Sequence, residues 1–237
     1  MGKENKIVSF FQSLREIKEI QKSKKKNLVK TVDSGVDFEE SVYSLLNSLF
    51  KKSNRLEDYP FLIKNKDKIV SGYSFQEELN ISDEQNNTFI SQPFGSQSFP
   101  DIIVFCEKKM FIIELKKVET GKYISMWNGS LPKKNVIYIM YRKNDLKKTF
   151  FLGQELINES QYNLIIEFTE RQRKETEAAK SQLLSEKNFF PWFRQAFHRN
   201  GKGINDFSEE LTKSREESVI NFLKGKEDDK KDGKEKS

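Results

Sequence analysis

Two apolar runs, DIIVFC at 101–106 and MFIIELKK at 110–117, flank a short charged connection, and each is too short to make a helix. Runs of β-branched and aromatic residues at this spacing read as a β-hairpin, which is antiparallel by geometry. With the turn at Lys108-Lys109, facing residues sum to about 217, so Asp101 is expected across from Lys116 and close to Glu114. Alternation along the second strand puts Ile112, Glu114 and Lys116 on one face and Phe111, Ile113 and Leu115 on the other. Ionised groups are costly to bury unless they are paired or hold a metal, so this trio needs a cause.

Two carboxylates at this separation suit a hard cation such as Mg²⁺, which takes few protein oxygens and keeps waters that a substrate phosphate can replace. A lysine beside such an ion can orient and help deprotonate a water, while the metal stabilises charge developing on phosphorus-bound oxygens. Those are the parts of a phosphodiester hydrolase. The bland alternative is an ion-paired strand end with Asp101 and Lys116 as ordinary cross-strand partners. The E-x-K triplet also occurs at Glu4-Lys6, Glu16-Lys18 and Glu107-Lys109, but only Glu114-Lys116 lies within an apolar strand, downstream of the sole Pro-Asp pair.

Length and charge frame that site. A chain of 237 residues suits one substantial core, and its 20 Phe are enough to pack it although 33% of residues are charged. A net charge of +6 with a pI near 9.1 favours a polyanionic partner. The lone Cys106 excludes an internal disulfide and a Cys-rich zinc site, and the single His198, read as an exposed helix residue, excludes a His-based metal site. The opening MGKENKIVSFFQSLREIKE has no apolar signal-type run and no stretch nears 18 apolar residues, so a soluble intracellular protein without membrane contact is expected.

Along the chain, Ile7, Phe10, Phe11, Leu14 and Ile17 repeat at helical spacing ahead of the basic run KSKKK, giving a basic helical arm. Asp33 or Ser34 is placed to cap a helix through FEESVYSLLNSLF, with Phe38, Val42, Leu45, Leu46 and Leu49 on one face. Residues 54–90 mix turns and short strands. VIYIMY reads as a third strand and YNLIIEF as a fourth; after Thr169 the pattern turns helical, passes the aromatic patch FFPWFRQAF, and becomes helical again near 206–224. The aromatic patch reads as core or dimer interface. One domain over 1–224 and a charged, disordered tail over 225–237 follow.

Pro100-Asp101, a twelve-residue gap and Glu114-Leu115-Lys116, set in these strands, resemble the PD-(D/E)xK nuclease superfamily. The chain is most similar to its type II restriction endonucleases, through GSQSFPD, the later WNGSLPK followed by a strand, and an upstream helix entered at SGVDFEE. The resemblance spans roughly residues 35–142 and implies an α/β fold with a restriction-endonuclease-like core, a central mixed β-sheet flanked by helices. It also implies that Asp101 and Glu114 ligate Mg²⁺ with the Leu115 carbonyl and that Lys116 activates water. A glutamate of the preceding helix would add an acidic group: Glu39 is the match, with Glu40 as the alternative, since a helix turns about 100° per residue and only one can face the site.

Gln92, Ser96 and Gln97 form a polar stretch able to approach a DNA groove or backbone, or simply a turn. Trp127, Asn128 and Lys133 are further candidate DNA contacts. The function so implied is site-specific hydrolysis of both strands of double-stranded DNA in a prokaryotic cytoplasm. Its expected context is a homodimer reading a palindrome, with a cognate DNA methyltransferase as genetic neighbour. A repair or junction-resolving nuclease shares the same core, and a non-catalytic DNA-binding protein would bind without Mg²⁺ and without cutting.

Overall fold

The structure is a computed structural model and describes residues 5–24, 35–70, 78–96, 98–118, 126–128, 131–142, 147–184, 196–198 and 208–225. In chain order the elements are α1 (Lys6–Lys24), α2 (Gly35–Leu49), β1 (Lys51–Ser53), a 3-10 turn (Leu56–Asp58), α3 (Pro60–Lys64) and α4 (Lys66–Val70). There follow β2 (Thr88–Ser91), β3 (Ile102–Cys106), β4 (Lys109–Val118), β5 (Met126–Asn128), β6 (Ile137–Arg142) and β7 (Lys147–Leu152). A second 3-10 turn (Gly153–Glu155) leads into α5 (Glu159–Leu184), then β8 (Ala196–His198) and α6 (Glu209–Leu223).

The architecture is α/β. A six-stranded mixed sheet runs β1-β2-β3-β4-β6-β7, antiparallel across β2-β3-β4 and β6-β7 and parallel where β1 meets β2 and β4 meets β6. Strict alternation gives this sheet two buried faces. On one, α1, α2 and α6 bring Phe10, Phe11, Phe38, Val42, Leu46, Val219 and Leu223 onto Ile102, Val104, Ile113, Ile137 and Ile139. On the other, Tyr59, Leu62 and Ile69 cover Ile103, Phe105, Ile112, Tyr138, Met140 and Phe151. Burial on both faces explains why β3 and all of β6 before Arg142 are uninterrupted apolar runs, as central strands are.

The first half of α1 is part of that interior. Asn5 caps it through its side-chain oxygen, which accepts from the Ile7 and Val8 N–H groups at 3.2 and 3.3 Å. The Asn5 amide also donates to Glu107 at 2.9 Å, joining the helix start to the β3-β4 turn. Arg15 meets the buried Glu216 of α6 at 3.1 Å. The basic run KSKKK begins in the last turn of α1, and its end at 25–26, both helix-cap candidates Asp33 and Ser34, the tail beyond 225 and most of the aromatic patch lie outside the described residues.

Three expectations change. The hairpin pairs Cys106 with Lys109 and Ile102 with Ile113, so facing residues sum to 215 and the turn is Glu107-Lys108, not Lys108-Lys109. Both turn residues have positive φ, 52° and 58°, the type I′ pattern usually marked by Asn-Gly. Here contacts from elsewhere hold it: the Lys108 carbonyl accepts from Leu79 N–H at 2.7 Å, and the Lys108 N–H donates to Asn86 at 3.2 Å. YNLIIEF is not a strand but the start of α5, because Asn158 and Gln161 cap that helix reciprocally, at 2.8 and 3.3 Å, and Leu164 and Phe168 stay exposed. His198 sits in β8 rather than in a helix, where β8 pairs with β5 in a separate two-stranded sheet.

Candidate active site

The corrected register places Asp101, one residue before β3, in the row of Glu114 rather than that of Lys116. A shift of two residues keeps every side chain on its face, whereas a shift of one would have inverted them. The site is therefore assembled by one hairpin. The Leu115 N–H donates to Asp101 Oδ2 at 2.7 Å, and the Asp101 N–H donates to Glu114 Oε2 at 3.2 Å. Lys116 Nζ donates to Glu114 Oε1 at 2.8 Å, with both side chains only partly exposed.

Burial pushes both carboxyls above the ordinary carboxylate range. For Asp101 the Leu115 N–H, the Lys116 charge and the contact with Glu114 oppose that rise, and for Glu114 the Lys116 ammonium opposes it while the Asp101 charge adds to it. Two neighbouring carboxylates that burial disfavours as anions form a cation-seeking pair. Among the described residues no three His, Cys, Asp or Glu side chains gather tightly enough to hold a metal by themselves. Asp101 and Glu114 could offer a cation two hard carboxylate donors, which would suit Mg²⁺ with waters completing its shell and would not suit a closed all-protein cage.

Helix α2 brings Glu39 and Tyr43 into the field of Asp101. Burial raises the Glu39 carboxyl, Asp101 raises it further, and Lys117 works against both. Glu40 projects about 100° further round the helix, so Glu39 is the glutamate that shares the field of Asp101. Tyr43, one turn on from Glu39, lies on the same stripe; burial, then Asp101 and Glu39, push its phenol up to about 12. Tyr43 and Lys117 were missed in the sequence. The i, i+4 relation of Tyr43 to Glu39 was the signal for the first, whereas Lys117 offered none, since it belongs to the opposite face of β4.

The remaining candidates divide. The Gln92 N–H donates to the Asp101 carbonyl at 2.6 Å, so the polar stretch begins at the site itself. Its turns continue through Gly95, whose φ of +102° favours glycine, to exposed Ser96. Gln97 lies outside the described residues. Trp127 and Asn128 are in β5, opposite Phe197 and Ala196 in the small sheet. Lys133 is buried, its ammonium 4.9 Å from the centre of the Phe99 ring. Burial lowers its pKa, Glu114 raises it and Lys116 lowers it, so it shares the field of the hairpin cluster.

Among the described residues no helix is long and apolar enough to cross a membrane. No protein-family model matches the chain, and no curated protein and no solved structure matches it either.

Proposed function

We propose that this chain is a Mg²⁺-dependent DNA endonuclease with a restriction-endonuclease-like core, acting as a type II restriction enzyme on both strands of a specific duplex site. The observation that carries the reading is the hairpin cluster: Asp101 held by the Leu115 N–H, Glu114 beside it, and Lys116 bonded to Glu114. Asp101, Glu114 and the Leu115 carbonyl would hold Mg²⁺, which supplies Lewis-acid stabilisation of the phosphate and a more acidic bound water. Lys116 orients the attacking water and takes part in its deprotonation. Glu39 adds a further acidic group from α2. The products would carry 5′-phosphate and 3′-hydroxyl ends, and a palindromic target would call for a homodimer.

The ordinary alternative for such a cluster is a neutralised strand end. Against it stands the burial of the acids: desolvation raises Asp101, Glu114 and Glu39 together, and Asp101 adds its charge to the field at both glutamates, a poor design for a purely structural pair. Lys116→Ala tests the assignment. Cleavage should fall by about 10²–10⁴-fold, the usual share of a positioned proton-transfer group, while duplex binding stays near wild type. Cleavage at the wild-type rate would remove Lys116 from the chemistry, and binding without Mg²⁺ or any cutting by the wild type would point to a non-catalytic binder.

A further inference from the structure

Lys133 has a backbone fixed with unusual care for a lysine in a connecting segment. Its N–H donates to the Tyr138 hydroxyl oxygen at 2.9 Å, and its carbonyl accepts from the Val136 N–H at 3.1 Å. Gly153 packs directly on it: a Cβ there would collide with the Lys133 carbonyl oxygen and lie 2.9 Å from the Tyr138 ring. Tyr138 is the β6 partner of Glu114, so the clamp is built from the strand beside the carboxylate it serves. The side chain then runs to the face of Phe99, two residues before Asp101.

The ammonium is left in an unusual state. Lys133 is only 8% exposed, and its pKa is lowered by burial first, with Glu114 working against that and Lys116 adding to it. Withdrawing an ammonium from water costs more than an aromatic face returns. A buried Lys148 over Phe38 shares this pattern, but burial alone perturbs it, whereas Lys133 stands in the combined field of Glu114 and Lys116. A cation held by its backbone and by an aromatic face beside the hairpin cluster has a natural complement in a substrate oxygen.

Resting on the nuclease reading, we propose that Lys133 is a second substrate-binding lysine of this site, its ammonium taking a non-bridging oxygen of the DNA phosphate while Lys116 serves the water. The charge it supplies meets charge that grows on that oxygen during displacement, so it contributes to the rate as well as to affinity.

The test compares wild type, Lys133→Met and Lys133→Arg, the first keeping the volume without the charge. Binding of a mixed-sequence duplex is titrated against salt with Ca²⁺ in place of Mg²⁺, and single-turnover cleavage is followed separately with Mg²⁺. Losing one phosphate contact should lower the slope of log affinity against log salt by about 0.9 in Lys133→Met, with Lys133→Arg close to wild type. Cleavage by Lys133→Met should fall about 10²-fold. A folded Lys133→Met, checked by its thermal transition, with an unchanged salt slope overturns the proposal, as does an unchanged cleavage rate. A wild type that cuts no DNA sinks the nuclease reading instead, and the slope comparison still decides whether Lys133 holds a phosphate.

Discussion

Asp101 and Glu114 are destabilised as anions by the site they form. Both carboxyls are raised by burial, and the Asp101 charge raises Glu114 further, so between the unfolded carboxylate pKa, about 4, and the raised folded values the native chain holds protons that the unfolded chain has lost. The sign follows: in metal-free protein their contribution to stability is fully present below the unfolded pKa and is lost as pH rises through the folded ones. Asp101→Asn keeps an oxygen for the Leu115 N–H and removes the charge. It should therefore abolish cleavage and, in EDTA at neutral pH, raise the melting temperature, with each ~1 kcal/mol moving it by about 2–4 °C in a chain of this size. Melting curves in EDTA at pH 4 to 8 check this. A variant no more stable than wild type at pH 8 would mean that the carboxylates are well compensated without a cation. At this scale the sequence was informative, because acids and a lysine among Ile, Phe and Leu need a cause. Tyr138 and Gly153 were not legible, since what they do depends on a close approach between segments that no local pattern encodes.

Elements with strong periodicity, the β3-β4 hairpin, β6, α2 and α6, could be read directly from their apolar patterns. The hairpin register was missed by two residues because Glu107-Lys108 carries none of the Asn or Gly chemistry of its turn, which is held by Leu79 and Asn86 instead. The alternation survived, so the facing of Glu114 and Lys116 did too. YNLIIEF misled because its apolar content suited a strand, while the deciding signal was the Asn158 and Gln161 cap just upstream. β7 was overlooked as a short run between charges, yet Phe150 and Phe151 are buried on opposite faces of the sheet. An arm was expected at the start of the chain, but α1 packs Phe10 and Phe11 edge to face at 4.8 Å, with Phe11 against Phe150 of β7 at 4.9 Å. Phe11→Ala should therefore cost about 3–5 kcal/mol, measured by denaturant unfolding. A loss under 1 kcal/mol would mean that α1 is a detachable appendage.

In the whole molecule both faces of the central sheet are covered, and the charged cluster lies at the entry to its hairpin. α1, α2 and α6 close one face of the sheet, and the acidic and basic groups collect where the chain enters β3, on the side of α2 that carries Glu39 and Tyr43. The net charge of +6 supplies attraction to phosphates without naming a sequence. Which bases a nuclease of the proposed kind would recognise was not legible in the sequence, because the chain holds many Arg, Lys, Asn and Gln able to read base edges. The most direct measurement is cleavage itself: purified protein is incubated with a sequenced unmethylated DNA in Mg²⁺ and in EDTA, and the products are resolved on a gel. Discrete fragments in Mg²⁺ and intact DNA in EDTA are predicted, with fragment ends mapping to one short site. Intact DNA in both would contradict the account.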